Sequence, residues 1–248
     1  DSFDILRQAG FDNLSLDLMF AIPGQTLEVW RETLAEAAAL GSEHLSTYEV
    51  IYEEDTPLYD QLQAGKFDVD EDLACAMYEE LVEQATKAGF HQYEVANFAR
   101  TSVLNPQPSA LNLPIRACLH NVNYWRGGAF YGLGPSATTY VRGVRTKNGA
   151  NTQLYCEQLE QGRRSMESIE ELAPLARAGE TAAFGLRMVA GWPFEQFRQV
   201  TGYDLRREWG EDMNQLVEQG RGRILPDRFQ LTREGLRFAD AAAQLFLR

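Results

Sequence analysis

Cysteine, histidine and long apolar runs are all scarce in this chain of 248 residues. Its cysteines, Cys75, Cys118 and Cys156, lie far apart and in no paired spacing. That excludes a disulfide framework and fits a reducing compartment, so a cytoplasmic location is expected. His44 and His91 have no second histidine or cysteine two to four residues on, and no zinc site can be read around them. No apolar stretch approaches the roughly 20 residues that span a bilayer, and no cationic-then-apolar leader opens the chain. The hydrophobic fraction of 44% is nevertheless ample for one large domain or two smaller ones.

Basic charge is scarce too, but unevenly so. The net charge is −13, and residues 1–100 hold 21 acidic against 5 basic side chains. Of the totals of 36 and 23, that leaves 15 acidic and 18 basic for residues 101–248. An acidic first part repels nucleic acid, so no nucleic-acid role is expected. Residues 101–159 carry Glu157 as their one acid against Arg116, Arg126, Arg142, Arg145 and Lys147, a local excess suited to an anionic ligand.

The pattern along the chain predicts an α/β architecture. Residues 2–10 read as a helix running into a glycine stop, and residues 14–20 as a short buried parallel strand. Thr26 caps a helix ending near Gly41, and residues 44–51 form the next strand. Strand, helix and strand in about forty residues is a βαβ unit. A second helix opens at Asp70 or Asp72 and stops at Gly89, and residues 90–96 follow as a strand. Repeated units of this size point to a (β/α) barrel or a portion of one. Residues 101–119, with three prolines, read as a loop. From about residue 165 helices dominate, with two short strands around Pro226-Asp227 and a last helix capped by Thr232. That order resembles a winged-helix module. Its charge from residue 160 onward, 13 basic against 14 acidic, gives no support to DNA binding. The expected division is a barrel portion at 1–160 and a winged-helix-like domain at 161–248.

The densest chemistry lies in His120-Asn121-Val122-Asn123-Tyr124-Trp125. An imidazole can ligate heme iron, and broad aromatic faces can hold a flat macrocycle. His-Asn-x-x-Tyr-Trp resembles the signature of the HemW heme chaperones, relatives of the oxygen-independent coproporphyrinogen III oxidases in the radical SAM superfamily. Other stretches carry the same resemblance in order. They are residues 16–26 (LDLMFAIPGQT), residues 44–48 with Glu53 and Thr56-Pro57-Leu58, residues 93–99 (YEVANFA), residues 132–137 (GLGPSA) and residues 231–235 (LTREG).

The resemblance implies the later part of a radical-SAM-type (β/α) barrel with a C-terminal winged-helix-like domain. It implies heme bound by His120, Asn121, Tyr124 and Trp125, with His120 on the iron; Cys118, two residues earlier, ranks below it on the ligand chemistry of a thiolate alone. Asp17, with Gln25 as a second contact, is implied for S-adenosylmethionine (SAM). A [4Fe–4S] cluster is implied for the intact protein only, because the family's Cys-x3-Cys-x2-Cys triad has no counterpart here. In the family the triad precedes the region where this chain begins, so the chain reads as a piece of a longer protein. The implied partners are heme-accepting hemoproteins, with scope for peripheral membrane contact, and no catalytic residue is nominated. Charge placement adds Arg126 and Arg142 as partners for heme propionates. Ala21 stands where the family has glycine, which argues against a strict positive φ there. The loop at 101–119 is longer than the family's link by about a dozen residues. Two other readings stay open: oxygen-independent coproporphyrinogen III oxidase, an enzyme of porphyrin biosynthesis, and an interaction module acting through the winged-helix-like tail.

Overall fold

The computed structural model describes residues 2–100 and 113–248. The chain divides into two compact units, residues 1–117 and 118–248. The unusual length read into residues 101–119 falls largely outside the described residues. Helix α1 (Ser2–Gln8) opens the first unit, followed by β1 (Ser15–Phe20), α2 (Leu27–Leu40), β2 (His44–Glu49) and α3 (Pro57–Gln63). Helix α4 (Glu71–Lys87) and strands β3 (Phe90–Gln92) and β4 (Asn97–Arg100) complete it.

Alternation along β1 decides the layers of this unit, because successive side chains leave a strand on opposite faces. Leu16, Leu18 and Phe20 pack with Trp30 and Leu34 of α2 and Met77, Leu81 and Ala85 of α4. Ser15, Asp17 and Met19 form the other face and stay exposed. The strand is therefore covered on one face, not on both as its apolar run suggests. Both covering helices start on side-chain caps. Thr26 Oγ1 accepts from the Val29 N–H at 3.3 Å, and Asp70 Oδ1 from the Leu73 N–H at 2.9 Å. The Trp30 indole N–H donates to the Met77 carbonyl at 2.9 Å, so the core aromatic of α2 is satisfied by the backbone of α4.

β1 and β2 pair in parallel with Asp17 opposite Ser46, as a βαβ unit requires. The strand expected over 90–96 does not continue that pattern. The chain turns back at residues 93–96, and the sheet order is β1-β2-β4-β3 with β4 antiparallel to both neighbours. The turn is held by the Glu94 carboxylate, which accepts from the Ala96 N–H at 2.9 Å and from the Asn97 side-chain amide. A run of alternating apolar residues does not report strand direction, so this reversal escapes periodicity.

The second unit begins with α5 (Leu119–Trp125), β5 (Thr138–Val141), β6 (Val144–Lys147), α6 (Thr152–Glu160) and β7 (Ser168–Glu171). The three strands form an antiparallel sheet, β5-β6-β7. Arg142 (φ 54°) and Gly143 (φ 82°) make a two-residue turn between β5 and β6, with both angles positive as the twist of a hairpin favours. The expected division at residue 160 falls inside this unit, between α6 and β7.

Helix α7 (Pro174–Gly185), β8 (Trp192–Pro193), α8 (Phe194–Thr201), α9 (Leu205–Glu208) and α10 (Gly210–Glu218) follow. Then come β9 (Gly222–Ile224), β10 (Arg228–Leu231), α11 (Arg233–Arg237) and α12 (Ala239–Gln244). The sheet β8-β10-β9 with its helices has the arrangement expected of a winged-helix module. Its core is aromatic: Trp192, Phe197, Trp209, Phe229 and Phe246 are fully buried. The indole of Trp192 donates to the Thr181 and Ala182 carbonyls, each at 3.2 Å, and that of Trp209 to the Phe246 carbonyl at 3.0 Å. Gly185 makes the first contact possible, since a Cβ there would stand 1.9 Å from Trp192 Nε1.

Candidate functional site

The motif is helical. Residues 119–125 form α5, in which the Val122 N–H bonds the Cys118 carbonyl at 3.0 Å and Val122 is buried. A helix brings i and i+4 together, and the motif's spacing uses this. The rings of exposed His120 and half-buried Tyr124 meet edge to face, 4.7 Å apart at 86°. Asn121 and Trp125 share the neighbouring stripe of the same helix. Asn123 turns the chain after the helix, its side-chain amide donating to the Ala129 carbonyl at 3.0 Å.

Tyr124 and Trp125 line a cavity of about 340 Å³. Residues from three other elements complete it. The Phe130 ring lies 4.4 Å from Tyr124 and 6.0 Å from Tyr140 of β5, and Phe184 of α7 lies 6.4 Å from Trp125. Phe130 and Tyr140 are held together by reciprocal backbone bonds of 2.8 and 2.9 Å. The charged part of the lining is Arg145 of β6 and Glu180 of α7, an ion pair at 2.7 Å, and Thr138 and Thr181 add uncharged polar groups. Arg145 also pairs with Glu170 of β7, and these carboxylates, Glu180 first, hold its pKa above the ordinary guanidinium value. His120 is not among the lining residues but touches one of them, Tyr124.

Of the arginines expected beside a propionate, Arg126 is placed otherwise. Arg126 is buried, donates to the Gly191 carbonyl at 2.8 Å and stacks 4.6 Å over the Trp192 ring. Burial, and secondarily the charge of Arg228, push its pKa down to about 10. It belongs to the core that charge counting cannot see. Arg142 sits in the β5–β6 turn. The cavity residues Phe130, Tyr140, Arg145, Glu180 and Phe184 are missed by motif reading. Only Glu180 and Phe184, at helical i,i+4 spacing, leave even a weak trace of belonging together.

In the first unit, a second cavity of about 290 Å³ lies at the carboxyl ends of β1 and β2, lined by Ala21, Gly24, Gln25, Glu49 and Tyr52 among others. Gln25 closes the turn after β1, its side-chain oxygen accepting from the Ile22 N–H at 3.4 Å. Ala21 has φ of 57°, so the position does demand the left-handed conformation despite its Cβ. Asp17 is exposed on the face of β1 opposite the helices and is not among the residues lining this cavity. On the same strand face His44 is buried, with Nδ1 2.9 Å from Ser15 Oγ and Nε2 2.9 Å from the Tyr93 hydroxyl. Burial lowers its pKa, opposed by the Asp17 charge. His91 is exposed.

Among the described residues no three His, Cys, Asp or Glu side chains group to hold a metal ion. The three cysteines form no disulfide and are dispersed, and they do not fit a [4Fe–4S] cluster. No described helix is long and apolar enough to cross a membrane.

Known proteins resemble this chain along most of its length. Residues 172–238 match the HemN C-terminal domain. The heme chaperone HemW of Bacillus subtilis is 30% identical over 220 residues, which is 88% of this chain and 55% of that protein. HemW of Lactococcus lactis is 28% identical over 248 residues, 100% of this chain and 62% of that protein. The structure of coproporphyrinogen III oxidase (HemN) from Escherichia coli, a radical SAM enzyme, superimposes with a TM-score of 0.72 over 98% of this chain and 57% of its own, at 16% identity. The chain is HemW-like in sequence and HemN-like in fold. It spans 55% and 62% of the lengths of the two HemW relatives. The mixed α/β fold and the C-terminal module expected from the motifs are thereby present, whereas the roles of the individual site residues rest on geometry.

Proposed function

We propose that this HemW-like chain carries the heme seat of a heme chaperone and hands heme on to hemoproteins. One observation carries the reading: the motif helix α5 presents an exposed imidazole directly beside an aromatic cavity. Heme is the cargo here. His120 is the axial ligand to its iron, an exposed imidazole being free to bind. Tyr124 and Trp125 supply ring faces to the macrocycle, and Asn121, on the Trp125 stripe, is the adjoining polar contact. Hemin titration of the chain and of His120→Ala tests this. The native chain is expected to shift the Soret band on binding, and the variant to bind at least ~10-fold more weakly, a loss of about 1.4 kcal/mol. An unchanged spectrum and affinity in the variant overturns the assignment.

Asp17, exposed on the face of β1 opposite the helices, is the proposed contact for SAM, with Gln25 at the strand end as the second. The cluster cysteines are not supplied by Cys75, Cys118 and Cys156, and no radical step is routed through this chain's residues. The HemN-like fold favours a second reading, coproporphyrinogen III oxidation by the intact protein. Anaerobic incubation of that protein with coproporphyrinogen and SAM decides it, since turnover to the decarboxylated product supports the oxidase.

A further inference from the structure

The cavity beside the motif has a chemistry that the motif does not state. Five aromatic side chains make its walls, and its charged lining is one cation and one anion already paired, Arg145 with Glu180 at 2.7 Å. Arg145 is engaged a second time by Glu170. A carboxylate entering this space meets Glu180 and finds no lining cation left to neutralise it. An anion desolvated without a partner is strongly disfavoured. An apolar planar group meets the faces and edges of the five rings, with the small uncharged residues Gly127, Gly128, Thr138 and Thr181 between them. At about 340 Å³ the cavity is at the small end of the ligand-site range, roughly 300–1,000 Å³, so it admits part of a macrocycle and not the whole.

Tetrapyrroles differ in what their edges carry. In protoheme, two adjacent pyrroles bear vinyl and methyl groups, and the propionates are confined to the other two. In coproporphyrin III every pyrrole bears a propionate, so no edge is free of carboxylate. We infer that the aromatic cavity takes the vinyl-bearing edge of protoheme, leaves its propionates outside, and rejects tetrapyrroles that carry carboxylates on every pyrrole. The cavity is thus a specificity filter between heme and its four-propionate precursor class. Glu180 is the excluding residue, and Phe130, Tyr140 and Phe184 are the apolar walls. The inference rests on the heme reading above and adds the orientation of the macrocycle to it.

The test is a pair of titrations of the full chain, one with hemin and one with iron coproporphyrin III, repeated for Glu180→Gln and Phe184→Trp. The native chain is expected to favour hemin by at least ~10-fold. Iron mesoporphyrin, whose ethyl groups keep the apolar edge, is expected to bind as hemin does. Glu180→Gln removes the excluding charge and leaves Arg145 paired with Glu170 alone, so the preference should shrink at least ~5-fold, mostly by tighter binding of the coproporphyrin. Phe184 is half-exposed, so a tryptophan there is compatible with folding. It fills the cavity and should weaken hemin at least ~10-fold. Circular dichroism confirms that each variant is folded. Equal affinities in the native chain, or an unchanged ratio in folded Glu180→Gln, overturn the filter. If hemin binding remains dependent on His120 in that case, the heme reading survives and only the filter falls. No hemin binding at all removes both.

Discussion

The second unit uses tryptophan in two opposite ways. Trp192 and Trp209 are fully buried, each indole N–H donates to main-chain carbonyls, and Gly185 is kept bare for one of them. Trp125 lines a cavity, is only half-buried, and its indole nitrogen is buried with no hydrogen-bond partner among the described residues. The first pair is finished by the fold. The third is left open on one side, as a binding surface must be. The same residue type therefore reports stability or function according to whether its polar atom and its ring faces are already used.

The largest expected effect that sharpens this contrast is Trp209→Ala, which removes a fully buried ring stacked 6.4 Å from Phe246. It should cost ~4 kcal/mol in a urea titration, and a loss below ~1 kcal/mol would erase the distinction drawn between the two tryptophan environments. Gly185→Ala comes next. Its methyl would overlap the Trp192 indole and displace two hydrogen bonds, at about 3 kcal/mol, read from the same transition. Trp125→Ala, by contrast, should cost less than ~1.5 kcal/mol in stability, because an open cavity already stands on one side of the ring. Its hemin affinity should nevertheless fall markedly in the titration.

Two smaller effects come from the first unit. Ala21→Gly relieves a left-handed alanine and should stabilise by about 0.5–1 kcal/mol in thermal or urea unfolding. The last concerns pH. His44 is buried with its pKa below the ordinary imidazole value of about 6.5, so the unfolded chain binds the proton more readily than the folded one. Its stabilising effect is complete above that ordinary value and is lost as pH falls through the folded pKa. Unfolding midpoints measured from pH 8 to pH 5 should decline, and His44→Gln should flatten the decline. An equal slope in the variant would assign the decline to other groups.

Much of the frame is legible in the sequence because local chemistry dictates it. Thr26 and Asp70 cap helices by accepting from N–H groups three residues on, and Gly41, in the left-handed conformation, closes the first of those helices. Thr232 opens α11 in the same way. The Pro226-Asp227 turn separates β9 from β10 as the pattern implies. Where partners are distant, the sequence is silent. Nothing local says that residues 93–96 reverse the chain, that β7 joins β5 and β6, or that residues 119–125 coil into a helix between loop-forming neighbours. Alternation reports a face, not a pairing direction.

The site divides along the same line. The sequence by itself determined the motif's inventory and its i,i+4 spacing, because once helical the chain has to set His120 against Tyr124. It also determined that the cysteines form no cluster triad. Only the tertiary structure decided that Arg126 is spent in the core and that Arg145 is paired twice. It also brought Phe130, Tyr140 and Phe184 around Trp125. The reason is that a charge or a ring acquires its role from what it touches, and those contacts join residues as many as 65 positions apart in the chain.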